Sequence, residues 1–476
     1  MTLETYLKGL PAVERAASPD TRVGRLCADS RAVKPGDTFV AVRGLTVDGH
    51  DFIDQALKNG ASLIFTQRPL PGDVPHVRFD GLSLAALSAK YYDYPAQKLI
   101  MTGVTGTNGK TTVTHIVYGI LSRMGLKAGL IGTNNTARTT PDALELQAML
   151  AGMVSDGCTH CVMEVSSHAL EQGRVEHVRY KAAAFTNLTR DHLDFHGDME
   201  RYYQAKRKLF GHADAAVVNI SDQYGIRLAG GIDCPCLTFS AAGGAALYAS
   251  DIEMSHGSVG FTAVYDGNRA RTEWRSPGRF SVENALAALG CGLMLGLGLE
   301  EQARLLPEIP PVKGRMEAAP YSDDFTVLID YAHTPDGLEN ALLAVRGFAE
   351  GRIITVFGCG GDRDREKRPR MGEIATRLSD YTIVTSDNPR GEKPSDIISD
   401  IVAGCKARYT VTADRREAIG EALARAERGD VVLLCGKGHE TYQEIGGVKY
   451  PMDEREIVRE YRERSAGLRP PPRGKE

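Results

Sequence analysis

The sequence lacks a long apolar run, an excess of either charge and a zinc-finger arrangement of cysteines, and each absence closes a class of function. Its longest apolar stretch, Cys291-Gly-Leu-Met-Leu-Gly-Leu-Gly-Leu299, is too short to span a bilayer. The start, Met1-Thr-Leu-Glu-Thr-Tyr, carries neither a basic nor an apolar leader region, so a cytoplasmic chain without membrane insertion is expected. With 57 basic and 61 acidic residues among 476, the net charge of -4 marks no surface for nucleic acid. Nine cysteines are an odd number: Cys158 and Cys161 form a C-x-x-C, but no second pair at zinc-finger spacing and no His ligand pair accompany it. Buried free thiols are expected instead. No internal repeat is visible, and the length suits about three domains.

What the chain does have is Leu99-Ile-Met-Thr-Gly-Val-Thr-Gly-Thr-Asn-Gly-Lys-Thr-Thr112. An apolar run enters a glycine-rich turn ending in Lys110, and apolar residues then recur at Val113, Ile116, Val117, Ile120, Leu121 and Met124. This is strand, phosphate loop, helix. Gly103, Gly106 and Gly109 let bare N–H groups face anionic oxygens, and the following helix points its positive end at the same place. Lys110 would reach the terminal phosphates of ATP and Thr111 would ligate magnesium. The spacing departs from the ordinary phosphate loop in having Val104 where a glycine is usual.

Residues 1–97 read as a small α/β domain with strands at Val23 to Leu26 and Thr38 to Val42. Asp29-Ser30-Arg31 lies in the loop between them, where it could hold a diphosphate or cap a turn. Residues 98–311 alternate apolar runs with amphipathic helices, which predicts a mainly parallel sheet. Its strands are expected at His160 to Val165, Ala182 to Asn187 and Ala215 to Asn219, with antiparallel strands over Leu237 to Arg275 and a helix from Val282 to Leu297. Pro307-Glu-Ile-Pro-Pro311 reads as a linker. Residues 312–476 form a third, Rossmann-like α/β unit with strands at Phe325 to Asp330, Arg352 to Phe357, Tyr381 to Ser386 and Asp430 to Cys435. Its tail, from Leu468 to Glu476, is proline-rich and reads as disordered.

Polar residues gather where these strands end, and ligands of open parallel sheets collect there. Met163-Glu-Val-Ser-Ser-His168 places Glu164 to face a nucleotide and its metal, or to pair with an arginine. Thr186-Asn-Leu-Thr-Arg-Asp-His-Leu-Asp-Phe-His-Gly197 is dense in groups that bind metal or phosphate, His192 among them, though it also fits a hydrogen-bonded loop. Lys206 sits in a basic helix whose lysines would ordinarily face solvent. In the third unit Asp330-Tyr-Ala-His-Thr-Pro335 sets His333 before a helix. Gly358-Cys-Gly-Gly-Asp-Arg-Asp364 suggests a dinucleotide loop lacking its third glycine. Arg363, Arg365, Lys367, Arg368 and Arg370 suggest an anion site.

Taken together these strings resemble the Mur ligases, the ATP-dependent amino-acid adding enzymes of peptidoglycan synthesis, over essentially the whole chain. The carrying motifs are Gly106 to Thr112, Met163 to Gln172 with Arg174, Thr186 to Gly197, Gly314-Arg-Met-Glu317, Asp330 to His333 and Asp387-Asn-Pro-Arg390. The resemblance implies an enzyme that spends ATP to join meso-2,6-diaminopimelate to the D-glutamyl γ-carboxylate of UDP-MurNAc-L-Ala-D-Glu, acting as a cytoplasmic monomer. It implies that Lys206 is carbamylated and holds a magnesium ion with His192, while Thr111 and Glu164 hold another. It places ATP on Gly106, Thr107, Asn108, Gly109, Lys110, Thr111, Thr112, Asn284, Arg315 and Asp330. The UDP-linked substrate falls on Ser30, Thr139, Thr140, Ser166, Gln172 and Arg174. Diaminopimelate falls on Arg363, Asp387, Asn388, Pro389, Arg390, Gly436 and Glu440. A guanidinium fork suits its second carboxylate, which lysine lacks. Lys110, Lys206, His192 and His333 are the expected catalytic residues, with His333 or an acidic residue taking the amine's proton. The alternatives are a lysine-adding or D-alanyl-D-alanine-adding relative, a folylpolyglutamate synthetase, a nucleotide-switch ATPase or a dinucleotide oxidoreductase.

Overall fold

The apolar run before the phosphate loop forms the strand Ile100–Thr105, buried from Met101 onward, and the helical recurrence beyond it forms Lys110–Arg123. The computed structural model describes residues 1–44, 47–81, 83–136, 138–255, 257–465 and 467, so the tail from Leu468 lies outside the described residues. The chain divides into two units. One comprises Met1–Gly103, Gly125–Lys181 and His212–Asp214, the other Val104–Met124, Ala182–Gly211 and Ala215–Glu476.

The first unit holds a sheet in the order Ala12–Arg15, His76–Phe79, Leu63–Thr66, Thr38–Val40, Leu26–Cys27, parallel except for its first pair. Short apolar runs bounded by turns make these strands, and Tyr6 stacks on Phe65 while Phe79 meets it edge-on in the core beneath. The strands Ala128–Ile131 and His160–Glu164 run parallel in the same unit, and Leu144 of the helix Ala143–Ser155 packs against the first core.

The second unit contains two sheets. In one, Ala182–Phe185, Ala216–Asn219, Cys236–Ser240 and Leu247–Met254 are parallel neighbours, and Val259–Tyr265 and Asn268–Trp274 extend them antiparallel. The helix Arg279–Met294 packs on this sheet and on Lys110–Arg123. The other sheet runs Glu317–Ala318, Thr326–Asp330, Val431–Cys435, Ile353–Phe357, Tyr381–Val384, Tyr409–Val411, all parallel but for the first pair. Helices Pro335–Arg346, Lys367–Leu378 and Pro394–Val402 cover one face, and Arg415–Arg425 with Glu454–Ser465 covers the other. Burial on both faces explains why its strands read as unbroken apolar runs. The carboxyl ends of these strands carry Asp330, Gly358, Asp387 and Gly436, so the topology gathers the motif loops along one edge.

Several expectations need correction. Cys236–Ser240 pairs parallel on both sides, so the antiparallel region begins only at Leu247. The strand expected from Val23 is only Leu26–Cys27, and the helix expected from Val282 starts a turn earlier, at Arg279 behind Gly278. The segment Pro307 to Pro311 is no free linker: Ile309 is fully buried and the Pro310 carbonyl hydrogen-bonds His115. None of the nine cysteines is in a disulfide, and five of them are buried and four half-buried. No helix of the described residues is long and apolar enough to cross a membrane.

Candidate active site

Between strand and helix the phosphate loop is held open by its neighbours. Thr107 N–H donates to the Asn187 carbonyl at 2.9 Å, Asn108 N–H to Asn187 Oδ1 at 2.9 Å, and the Thr186 hydroxyl to the Asn108 carbonyl at 2.6 Å. Gly109 caps the helix at φ +86°, where a Cβ would overlap Asn284 Oδ1. The position therefore admits only glycine, on backbone and on space alike. Lys110 Nζ folds back to donate to the carbonyls of Gly106 and Thr107, each at 2.9 Å.

Lys206 reverses its sequence expectation. Its side chain is buried rather than solvent-facing, with Nζ 4.6 Å from the Tyr202 ring centroid and 2.7 Å from the Gly106 carbonyl that Lys110 also meets. Burial, reinforced by the charge of Lys110 and opposed by Asp191, drives its ammonium pKa well below the ordinary lysine value. A buried lysine favoured as the free amine is a nucleophile toward small electrophiles.

Asp191 is the counterweight. Burial alone would raise its carboxyl, but His192, His333 and Lys367 together hold it below the usual carboxylate range. His192 adopts a left-handed backbone at φ 54°, with Nε2 3.4 Å from Asp191 Oδ2. His333 is half-buried, and its pKa is lowered to about 4 by desolvation and by Lys367, which donates to its carbonyl at 2.9 Å. Its Nδ1 pairs with the Tyr331 carbonyl at 2.9 Å, leaving Nε2 as the acceptor of a neutral ring. Such an imidazole is a weak base for an ammonium proton.

Above the loop lies a cavity of about 330 Å³. Asn108, Gly109, Thr112, Asn284, Arg315, Asp330 and His333 line it, together with residues that sequence reasoning missed: Phe239, Phe280, Glu283, Tyr331 and Asp336. Gly106, Thr107, Lys110 and Thr111 belong to the loop beneath and are not among the lining residues. Arg315 lies 4.8 Å from the Tyr331 ring centroid and donates to the Thr111 hydroxyl at 3.2 Å. Asp330 is half-buried, its carboxyl pushed up by desolvation, and its two oxygens accept the N–H groups of Met316 and Ala332 at 2.7 and 2.8 Å. Asp336 ties Asn108 at 2.7 Å and Thr189 at 3.2 Å, so the first turn of Pro335–Arg346 grips the phosphate loop. Volume and polarity suit a nucleotide.

In the first unit Glu164 ends its strand fully buried, and its oxygens accept from Thr133 N–H at 2.8 Å and the Thr133 hydroxyl at 3.2 Å. Thr139 meets that hydroxyl at 3.1 Å, Thr140 bridges the Glu164 carbonyl and Ser166 N–H at 2.9 Å each, and Arg174 donates to the Thr140 carbonyl at 3.2 Å. Glu164, Thr139, Thr140, Ser166 and Arg174 thus form one cluster, with Gln172 ending the adjacent short helix. Ser30 is buried apart from them, where its carbonyl accepts from Asn59 at 2.8 Å. Arg31 folds onto Asp29 at 2.8 Å and Asp29 caps the turn, so of the two readings of that loop these side chains take the capping one.

The remaining motif residues meet at the ends of the last sheet. Gly436, at φ +112°, lies against Asp387, and Asn388 Nδ2 donates to Glu440 Oε2 at 2.8 Å. Arg390 is half-buried and already partnered, by the Gly361 carbonyl at 2.9 Å and Glu444 at 3.5 Å. Arg363 is exposed and pairs with none of the described residues. The arginine-rich segment is not one anion site. Arg368 is fully buried between Glu392 and Asp400, and Arg365 also pairs with Glu392, whose carboxyl Arg368 lowers to about 2. Nor is Gly358 to Gly361 a dinucleotide loop, because its helix begins only at Lys367 and Gly361 is packed against the Pro389 carbonyl. Sequence reasoning missed Lys437, Glu444 and Arg415, all charged partners of these motifs.

Loop, cavity and sheets define an α/β enzyme of the phosphate-loop class, built to hold a nucleotide. The chain belongs to the Mur ligase family, for three family models match it in order: Mur ligase family, catalytic domain, over residues 22–77; Mur ligase middle domain over 104–292; and Mur ligase, glutamate ligase domain, over 314–438. It is thereby an ATP-dependent ligase of three-domain α/β architecture. A Gloeobacter violaceus protein named UDP-N-acetylmuramoyl-L-alanyl-D-glutamate–2,6-diaminopimelate ligase is 47% identical over 93% of this chain and 94% of its own. A Clostridium acetobutylicum protein of the same name, numbered 1, is 42% identical over 93% and 95%. A solved structure of an enzyme so named matches with TM-score 0.69 and 32% identity over 98% of this chain and 99% of that one. The MurF ligase of Thermotoga maritima in complex with ADP shares the fold, with TM-score 0.66 and 22% identity over 94% and 98%.

Proposed function

We propose that this chain carries out the reaction its relatives are named for, joining meso-2,6-diaminopimelate to the D-glutamyl γ-carboxylate of UDP-MurNAc-L-Ala-D-Glu at the expense of ATP in peptidoglycan precursor synthesis. The observation that carries this reading is the end-to-end likeness, at 32% to 47% identity, to proteins bearing that name. We place the reaction in the cytoplasm, in a chain acting as a monomer with domains at 1–97, 98–311 and 312–476.

In this reading the γ-carboxylate attacks the terminal phosphate of ATP to give an acyl phosphate and ADP. The free amine of diaminopimelate then attacks the acyl carbon and phosphate leaves. Lys110 would leave the carbonyls of Gly106 and Thr107 for the phosphates, and Arg315 would add a second cation. The neutral amine of Lys206 would add to carbon dioxide, its N–C bond forming as the nitrogen gives up one proton to solvent, so that an uncharged group becomes an anionic carbamate. No cluster of three or more His, Cys, Asp or Glu side chains suited to a metal occurs among the described residues. Magnesium is commonly held by one or two carboxylates plus substrate phosphates. Thr111 and Glu164 would hold one ion, and His192 with carbamylated Lys206 another. When bound, magnesium would neutralise the charge that keeps carboxylate and triphosphate apart. Ser30, Thr139, Thr140, Ser166, Gln172 and Arg174 would hold the nucleotide-sugar peptide. Arg363, Asp387, Asn388, Pro389, Arg390, Gly436 and Glu440 would hold diaminopimelate, with Arg390 exchanging Glu444 for the substrate's far carboxylate. His333, a neutral acceptor, leaves the amine's proton to a stronger base.

Phosphate release assayed with the nucleotide-sugar peptide and each amino acid in turn tests this. Release with diaminopimelate and not with L-lysine is expected. Equal release with lysine would remove the selectivity, and release with no amino acid present would point to a switch ATPase.

A further inference from the structure

Lys437 is a lysine whose side chain is wholly shut off from solvent, and the phosphate-loop chemistry has no use for it. Its ammonium lies 2.6 Å from Glu440 Oε2, 2.8 Å from Asn388 Oδ1 and 5.2 Å from the Tyr442 ring centroid. A buried cation persists only where such partners compensate it. The compensation also fixes the partners. Asn388 Oδ1 accepts from Lys437 and from Glu444 N–H at 2.9 Å, which turns the amide's NH₂ toward Glu440 Oε2 at 2.8 Å. Glu440 Oε2 therefore takes two donors while Oε1 takes none from the described residues. One oxygen is anchored and the other is presented.

We propose that Lys437 is a positioning residue for the incoming diamino acid, holding Glu440 and Asn388 so that Glu440 Oε1 accepts from the ammonium at that substrate's far end. The proposal rests on the assignment of Asn388 and Glu440 to diaminopimelate. It adds a residue that would set affinity for one substrate without touching any. Free of Lys437, Glu440 could turn to the Asn388 amide alone, and the acceptor would lose its direction.

The test is steady-state phosphate release by the full-length chain, with each of the three substrates varied in turn, for Lys437→Met, Lys437→Arg, Glu440→Gln and the Lys437→Arg, Glu440→Gln pair. A wild-type chain that does not use diaminopimelate refutes the functional assignment before any variant is made, and is thereby separated from failure of the proposal. With an active wild type, Lys437→Met is expected to raise the KM for diaminopimelate about 10- to 100-fold while the KM for ATP stays within about twofold. The effects of Lys437→Arg and Glu440→Gln are expected to fall short of additive in the double variant, because both act on one contact. An unchanged KM for diaminopimelate, an equal rise in all three KM values, or additive effects would overturn the proposal. Should Lys437→Met fail to fold, the Arg and Gln cycle, in which Lys437→Arg keeps the buried positive charge, gives the same decision.

Discussion

The phosphate loop and the cluster at the ends of the last sheet are the two regions proposed to meet anionic substrates, yet they are built from different materials. The loop works through backbone: Gly109 and the first turn of Lys110–Arg123 offer a helix N-terminus, while Asn187 takes the N–H groups of Thr107 and Asn108 and so holds the turn. The sheet-end cluster works through long charged side chains clasped to one another, Arg390 to Glu444, Lys437 to Glu440 and Arg368 to Glu392. Backbone recognition is general, because any phosphate offers the same oxygens. Side-chain recognition is selective, because only a ligand whose charges replace the internal partners can enter without leaving a charge unpaired.

That contrast can be broken or sharpened by mutation. The largest effect is expected of Lys206→Ala, a loss of turnover on the order of a thousandfold with partial recovery in added short carboxylates, read as phosphate release. Full activity in that variant would refute its metal role. Arg390→Ala should raise the KM for diaminopimelate about 10- to 100-fold and leave ATP affinity unchanged; an equal loss of ATP affinity would erase the distinction between the two regions. Gly109→Ala does the opposite, forcing a side chain into a left-handed backbone at a cost of about 1–2 kcal/mol, so ADP affinity measured by calorimetry should fall roughly 5- to 30-fold. A separate effect, on stability rather than on substrate affinity, concerns acid. His333 titrates at about 4 when folded against about 6.5 unfolded, so unfolding takes up a proton between those values and stability falls as the pH drops through that window. The loss is roughly 3 kcal/mol at most, complete below about pH 4, and His333→Asn should flatten the fall in denaturant midpoint.

The same contrast explains what could be read in the sequence. The phosphate loop is legible because its chemistry is local: Gly106, Gly109 and Lys110 lie within one turn of chain. The buried strands of the last sheet are legible because they are apolar on both faces. Lys206 is not, since nothing in Tyr202 to Phe210 tells which lysine of a basic helix turns inward; only the resemblance singled it out. The pairing of Arg365 and Arg368 with Glu392 could not be read either, because the partner lies across two loops. The strand Tyr409–Val411 and the hairpin of Tyr442–Ile445 with Val448–Pro451 went unseen because they are short and largely exposed, with no apolar alternation to mark them. Parallel pairing of Cys236–Ser240 was hidden for a related reason: alternation reports a half-covered strand, not its direction.

The contact of Gly109 with Asn284 has a consequence for the making of the protein. Asn284 follows Gly109 by 175 positions, and the helix that bears it is also the one on which Lys110–Arg123 packs. At about 5–20 residues per second a ribosome needs roughly 10 to 30 s to supply that partner. A nascent chain therefore carries an unfinished nucleotide cradle for more than a third of its synthesis.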